Sequence, residues 1–302
     1  MILVAGGTGV VGSAIVAELQ KQGQSVAVLG RDAARIERVF AGSVEARAGD
    51  VTRPETLTAG MNGIDVVINA VQFPTSPIEV PRRGWTFENV DYKGTVNLVD
   101  AAKAAGGVKR FVYVSAVGAD LNGPKHWFRY KAMAEEHLKA SGLEWTIVRP
   151  SWVYGPRDHA LNRLLGFTNF LPFMPMFGDG KQDMQPVFID DVGRVVAQAT
   201  TAPEAANQLF ELGGPEVMSM DDVLKTGLAV MGRKRFILHQ PMFVGKLIGT
   251  LASLQPFVTP PLSADAVDFV SRPATADNAN LIQVLKPELT PLRQGLETYL
   301  GK

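Results

Sequence analysis

The chain opens Met1-Ile2-Leu3-Val4-Ala5-Gly6-Gly7-Thr8-Gly9-Val10-Val11-Gly12. The apolar start reads as a buried strand, Gly6, Gly9 and Gly12 follow at three-residue spacing, and residues 13–21 read as a helix. Each feature has a physical task. The turn must be tight, one glycine lets the backbone approach a pyrophosphate, and another lets the helix pack close to the strand. The helix N-terminus then presents free N–H groups and a positive dipole end to phosphate oxygens. The placement after a strand and before a helix gives the pattern its weight. The competing reading is a tight strand–helix turn that holds no ligand.

Working outward, apolar runs at 25–29, 44–48, 65–70, 110–115 and 144–148 read as strands. Residues 33–39, 54–61, 85–105 and 128–140 read as the helices between them. This alternation predicts an α/β fold, a doubly wound parallel Rossmann sheet with right-handed crossovers. Ligands bind such sheets at the carboxyl ends of the strands, near the topological switch point. After Pro150 the pattern changes. Residues 151–186 are rich in Phe, Pro, Met and Gly and read as loop and short helix around the apolar run 171–177. A strand at 187–189, a helix at 191–200 and a strand at 208–212 follow. Helices are then expected at 219–231, 242–254, 263–271 and 290–300, the first with Ser219 as N-cap and Asp221 and Asp222 in its first turn. The expected organisation is a dinucleotide-binding domain at 1–150, continued by 187–213. Residues 151–186 and 214–302 interleave as a smaller, mostly helical lid.

With 302 residues, 46% of them hydrophobic, the chain can bury a large core. Thirty basic residues balance thirty acidic ones, which argues against a nucleic-acid footprint. The absence of cysteine excludes disulfides and thiolate metal sites and is compatible with a reducing compartment. His126, His137, His159 and His239 are too scattered for a metal site, so no metal is expected. The first strand begins at residue 1, so no targeting peptide is expected before it, and the expected location is cytoplasmic. Residues 241–262 are the most lipophilic stretch, too short and proline-broken to span a bilayer. They suit a pocket for a hydrophobic small molecule, a peripheral contact at the inner face of a membrane, a redox-complex partner, or plain packing on the sheet edge.

Several pieces together resemble the short-chain dehydrogenase/reductase superfamily, in its extended or atypical, epimerase/dehydratase-like branch. They are Gly6-Gly7-Thr8-Gly9-Val10-Val11-Gly12, Gly49-Asp50-Val51, Asn69-Ala70, Asn89-Val90-Asp91, Tyr113-Val114-Ser115, Lys131, Arg149-Pro150, Val153-Tyr154-Gly155-Pro156 and the run 187–192. They span residues 1–215. The stretches 114–120 and 161–165 resemble, more narrowly, the NADH-dehydrogenase alpha-subcomplex 9 subunits of respiratory complex I and their bacterial relatives. This resemblance implies an NAD(P)-binding oxidoreductase or an accessory or assembly protein of a redox complex. It implies cofactor contacts from Gly6, Thr8, Gly9, Val10, Val11, Gly12, Asp50, Val51, Asn69, Ala70, Val71, Asn89, Lys131 and Pro150.

The end of the second strand separates NAD from NADP. An acid there holds a ribose 2′-hydroxyl, whereas an arginine suits a 2′-phosphate. Leu29-Gly30-Arg31 has no acid at the strand end, so Arg31 favours NADP, with NAD as the alternative. The other reading makes Arg31 a solvated residue with Asp32 capping the next helix. Likewise, Asp50 either contacts adenine, as in the family, or is a turn residue.

Members of this superfamily use a tyrosine as general acid/base and a lysine four residues later that binds the nicotinamide ribose. Four residues place two side chains about 40° apart on a helix. Lys131 stands in the lysine position, but Trp127 precedes it by four, and an indole has only a weak N–H donor. Tyr130 points about 100° away. Three readings stay open. The protein binds NADP(H) with little or no generic dehydrogenase turnover; or it is an atypical reductase of a hydrophobic carbonyl or quinone-like substrate, with Tyr113, Ser115, Tyr154, His126 or His159 supplying the proton; or the register is shifted in the pliable loop 118–125. Tyr113 and Ser115 lie two apart on one strand and share a face.

Overall fold

The computed structural model describes residues 1–253 and 263–301. Seven strands form the central sheet: β1 (Ile2–Ala5), β2 (Val26–Gly30), β3 (Glu45–Ala48), β4 (Val66–Asn69), β5 (Arg110–Val114), β6 (Glu144–Pro150) and β7 (Gln208–Leu212). Their spatial order is β7-β6-β5-β4-β1-β2-β3, and every neighbouring pair is parallel. This is the doubly wound Rossmann arrangement, with its switch point between β1 and β4, where Ala5 aligns with Asn69.

Alternation along β1 shows how the sheet builds two cores. Val4 faces a layer with Ile15, Val16, Leu19 and Val28, capped by α1 (Val10–Lys21) and the Ile189–Thr201 helix. Leu3 and Ala5 face the opposite layer, with Leu98, Phe111, Tyr113, Trp127 and Leu138. That layer belongs to α3 (Gly94–Ala105) and α4 (His126–Ala140), while α2 (Ala33–Phe40) joins β2 to β3. A third cluster, with Trp152, Tyr154, Met174, Met176, Phe188, Leu224 and Leu296, is the core of the region beyond the sheet's carboxyl edge.

The structure departs from the sequence expectations at several points. Residues 54–61 form two short 3-10 turns, Pro54–Thr56 and Thr58–Met61. The Thr56 hydroxyl donates to the Arg53 carbonyl at 2.7 Å, a local bond that competes with helix propagation. The 85–105 helix starts later. Trp85 bridges Val80, and Thr86 caps the helix by accepting from the Asn89 N–H at 3.1 Å. Phe87–Lys93 then winds as a π-helix before α3. The run 171–177, expected as loop and short helix, contains the strand Phe173–Phe177, paired in parallel with Phe236–Gln240. Burial of Met174 and Met176 alternates with half-exposed neighbours, a period of two that the prolines conceal in the sequence. Residues 187–189 give the two-residue strand Val187–Phe188 and the start of the next helix. The expected 242–254 helix is Met242–Ser253; the rest of the 241–262 stretch, 254–262, lies outside the described residues.

Candidate cofactor and catalytic site

At the switch point the glycine turn does what its spacing requires. Gly6 has φ +78°, and a Cβ there would lie 2.7 Å from the Ala70 carbonyl oxygen. A Cβ on Gly12 would lie 2.2 Å from the Gly6 carbonyl oxygen, so only glycine lets α1 approach the turn. Gly9 occupies the N-cap position of α1 with no side-chain cap, and the first-turn N–H groups are left for a ligand.

A cleft of about 1190 Å³ opens over this turn. Of the residues expected to hold a cofactor, Gly6, Thr8, Gly9, Val10, Val11, Arg31, Asp50, Val51, Ala70, Val71 and Asn89 line it. Gly12, Asn69, Lys131 and Pro150 do not. Gly12 packs under the turn. Asn69 is buried, accepting from the Val71 N–H at 3.0 Å and donating to Thr95 Oγ1 at 2.9 Å, so it shapes the cleft wall from behind.

Asp32 caps α2 by accepting from the Arg35 N–H at 3.0 Å. Arg31 is exposed on the cleft and has no carboxylate partner among the described residues. Arg35 and Arg53, which the sequence reading missed, share both properties. Arg31 and Arg53 also line an adjoining hollow of about 310 Å³ beside Gly49 and Asp50. Asp50 Oδ1 accepts from the Thr52 N–H and hydroxyl at 2.9 and 2.8 Å, so the carboxylate builds its own turn while lining the cleft. Arg83 stacks 4.9 Å from the Trp85 ring centroid, and both line the cleft.

The expected catalytic residues gather elsewhere. Trp127 is 2% exposed, packed with Phe87, His126, Phe128 and Phe269, and its Nε1 has no hydrogen-bond partner. Lys131 Nζ donates to Asp91 Oδ1 and lies 5.8 Å from the Tyr113 ring centroid. Burial alone would lower the Lys131 pKa, but Tyr113, Asp91 and Glu135 around it outweigh that and raise it. Tyr113 is fully buried with no hydrogen-bond partner for its hydroxyl, and burial pushes its pKa up. Ser115 Oγ donates to Glu135 Oε1 at 2.5 Å, and Glu135 takes a two-pronged contact from Arg149 at 2.9 and 2.6 Å. Neither Trp127, Tyr113, Ser115 nor Lys131 lines the cleft. Of the other proton donors considered, Tyr154 and His126 are also absent from its lining, and His159 is present. Asp91 went unrecognised as the lysine's partner, although it lies within the matched Asn89-Val90-Asp91.

A family model described as NAD(P)H-binding matches residues 6–169. The chain belongs to this NAD(P)H-binding family. Among its relatives, an NAD(P)H azoreductase of Xenophilus azovorans is 33% identical over 240 residues, covering 77% of this chain and 74% of that protein. The NADH dehydrogenase [ubiquinone] 1 alpha subcomplex subunit 9 of Arabidopsis thaliana is 31% identical, over 73% of this chain and 55% of that protein. The chain thus spans little more than half of the complex I relative, and the resemblance to that group stands. The structure of the NADPH-dependent quinone oxidoreductase of Escherichia coli with NADPH superposes with a TM-score of 0.76 at 17% identity, covering 99% of each chain. That likeness concerns the fold. The chain is an NAD(P)H-binding, oxidoreductase-like protein.

Proposed function

We propose that the protein holds NADP(H) in the cleft over the glycine turn and reduces generic carbonyl substrates slowly or not at all, serving as an accessory or assembly protein of a redox complex. The observation that carries this reading is the separation of two sets of residues. Most of the residues expected to bind the nucleotide line the cleft, whereas Trp127, Tyr113, Ser115 and Lys131 are buried outside its lining. Arg31, Arg35 and Arg53 favour a 2′-phosphate, and the phosphates would rest on the N-terminus of α1. When bound, NADPH supplies a hydride. The chain's own residues supply the glycine cradle, the cationic rim and the wall made by Ala70 and Val71. Residues 1–150 with 187–213 serve as the nucleotide-binding body, and 151–186 with 214–302 as the lid.

The relative named as an azoreductase favours a second reading, an active reductase. With no buried tyrosine acid in the cleft, such an enzyme suits azo or quinone acceptors, whose anions after hydride transfer are stabilised by delocalisation and need less help from a positioned acid than a ketone's alkoxide does. His159 would then be the protein's nearest candidate donor.

The deciding experiment measures NADPH and NADH binding by calorimetry and NADPH oxidation against aldehydes, ketones, quinones and azo compounds. Tight NADPH binding without carbonyl turnover is expected. Ordinary dehydrogenase turnover with ketones overturns the first reading. The Met242–Ser253 helix exposes Phe243, Leu247 and Ile248, a face that suits a partner or lipid contact. Vesicle flotation tests the lipid contact, and no flotation with anionic or neutral vesicles would rule it out.

A further inference from the structure

Across 149 residues of sequence, the guanidinium of Arg157 reaches the glycine turn. Its Nη2 donates to the Thr8 carbonyl at 3.3 Å and its Nη1 to Ser13 Oγ at 3.1 Å. Arg157 lines the same cleft as Thr8, Gly9, Val10 and Val11. It has no carboxylate partner among the described residues, and two contacts leave part of its donor fork unspent. The turn that carries it is fixed from within. Asp158 accepts from the N–H groups of Ala160 and Asn162 at 2.7 and 3.1 Å, and Asn162 Nδ2 donates to the Gly155 carbonyl at 2.7 Å. The guanidinium is therefore held at the mouth of an uncapped helix N-terminus by a segment that belongs to the lid side.

From this arrangement we infer that Arg157 is the cation that clamps the dinucleotide's pyrophosphate from the lid side, opposite the N–H groups of α1. The inference rests on the reading of the cleft as the cofactor site. The physical argument is charge placement. A glycine-capped helix end offers N–H groups and a partial positive charge, but no full charge, to a group carrying two negative charges. Arg31, Arg35 and Arg53 belong to the β2–β3 end of the cleft, beside Asp50. Arg157 supplies a full charge at the turn itself, in the planar fork that suits phosphate oxygens. Because its contacts are to Thr8 and Ser13, the clamp also ties the lid segment to the turn that holds the nucleotide.

The test separates the pyrophosphate from the 2′-phosphate. NADPH and NADH share the first and differ in the second. Calorimetric titration of both cofactors into Arg157→Ala should show the same loss for each, roughly 10- to 100-fold, the worth of a charge-assisted contact. Arg157→Lys should recover part of it, since charge returns without the fork. Arg31→Ala should weaken NADPH alone. The melting temperature of cofactor-free Arg157→Ala should stay within about a degree or two of that of the unsubstituted protein, since its bonds to Thr8 and Ser13 are exposed. Wild-type affinity for both cofactors in Arg157→Ala overturns the inference and leaves the cofactor reading standing. A loss confined to NADPH reassigns Arg157 to the 2′-phosphate and also overturns it. A loss of binding together with a melting drop of several degrees makes Arg157 a structural tie only. If the unsubstituted protein binds neither cofactor, the reading of the cleft falls, and this inference with it.

Discussion

Lys131 Nζ lies 2.9 Å from Asp91 Oδ1, and both side chains are buried between the π-helical turn and α4. The family's lysine is thereby engaged inside the protein by a carboxylate. Removing one member of a buried pair strands the other charge and costs about 3–5 kcal/mol. Lys131→Met and Asp91→Asn should each lower stability by that order, and the double variant by less than their sum. Denaturant titration of the three proteins measures this. Strict additivity would show that the two groups are not coupled. Because the raised Lys131 pKa favours the ammonium, the lysine's share of this contribution is present below about pH 10, near an unfolded lysine's value, and is lost as pH climbs through the folded value, while burial raises the Asp91 pKa, so the ion pair also weakens on acidification as Asp91 takes a proton.

Cofactor choice should follow the cations at the end of β2. Arg31→Ala should weaken NADPH by roughly 10-fold or more and leave NADH nearly unchanged. Replacing Arg35 and Arg53 as well should abolish discrimination between the two. Equal affinities in the unsubstituted protein would refute the preference.

The approach of α1 to the turn gives a steric prediction. Gly12→Ala places a methyl 2.2 Å from the Gly6 carbonyl oxygen, and no flexible side chain is there to yield. A loss of about 1–3 kcal/mol is expected, together with the loss of cofactor binding as the turn opens. Thermal melting with and without NADPH checks both. A variant that binds NADPH normally would contradict the packing described.

Trp127→Tyr restores the superfamily's residue type. A positioned proton donor contributes about 10²–10⁴-fold to a reduction. Here Trp127 is walled in by Phe87, Phe128 and Phe269 and Lys131 is paired, so the expected gain in NADPH oxidation falls below that range. A full gain would show that the buried tyrosine position reaches the substrate. Loss of residual turnover in Tyr113→Phe would support the active-reductase reading.

Asp268 ties three segments together, bonded to Lys125 Nζ at 2.6 Å and paired with Lys246 Nζ at 2.7 Å. Burial pushes its pKa up, but the two lysines outweigh that and hold it below the usual carboxylate value. Its docking contribution is therefore full above about pH 4, the value of an unfolded aspartate, and is lost as pH falls through the lower folded value. The protection of Ala264–Val270, taken as exchange relative to the intrinsic rate at each pH, should fall on acidification in the unsubstituted protein and be low already at neutral pH in Asp268→Asn. Equal protection in the two would refute the tie.

The sheet was legible because strand and helix periods differ sharply, and the runs from Ile2 to Ala5 and from Arg110 to Val114 carry no competing signal. The π-helix was not legible. It carries local side-chain bonds, with Thr86 Oγ1 accepting from the Asn89 N–H and Thr95 Oγ1 donating to the Asp91 carbonyl at 2.5 Å. Neither bond leaves a mark in a hydrophobic pattern. The glycine turn and Arg31 could be read because their chemistry is local. Arg157 could not, because the chain brings it to the cleft from far away, and Arg35 and Arg53, although close in sequence to Arg31 and Asp50, carry no motif that marks them. Lys131 was found by spacing, but spacing says nothing of what faces it, and Asp91 decides where its charge goes.

The π-helical turn at Phe87–Lys93 also sets a limit on how this chain can change length. A wide turn holds one residue more than an α-turn of the same rise. Deleting one residue there would let the turn close to α-helix with the segments on either side nearly in phase, whereas a further insertion between it and α3 would rotate everything before it by about 100° relative to α3. Asp91 would then leave Lys131, and Phe87 would leave its place beside Trp127. Insertions should therefore be absorbed in the irregular stretch between β4 and Thr86, which borders the cleft, and be refused one turn later.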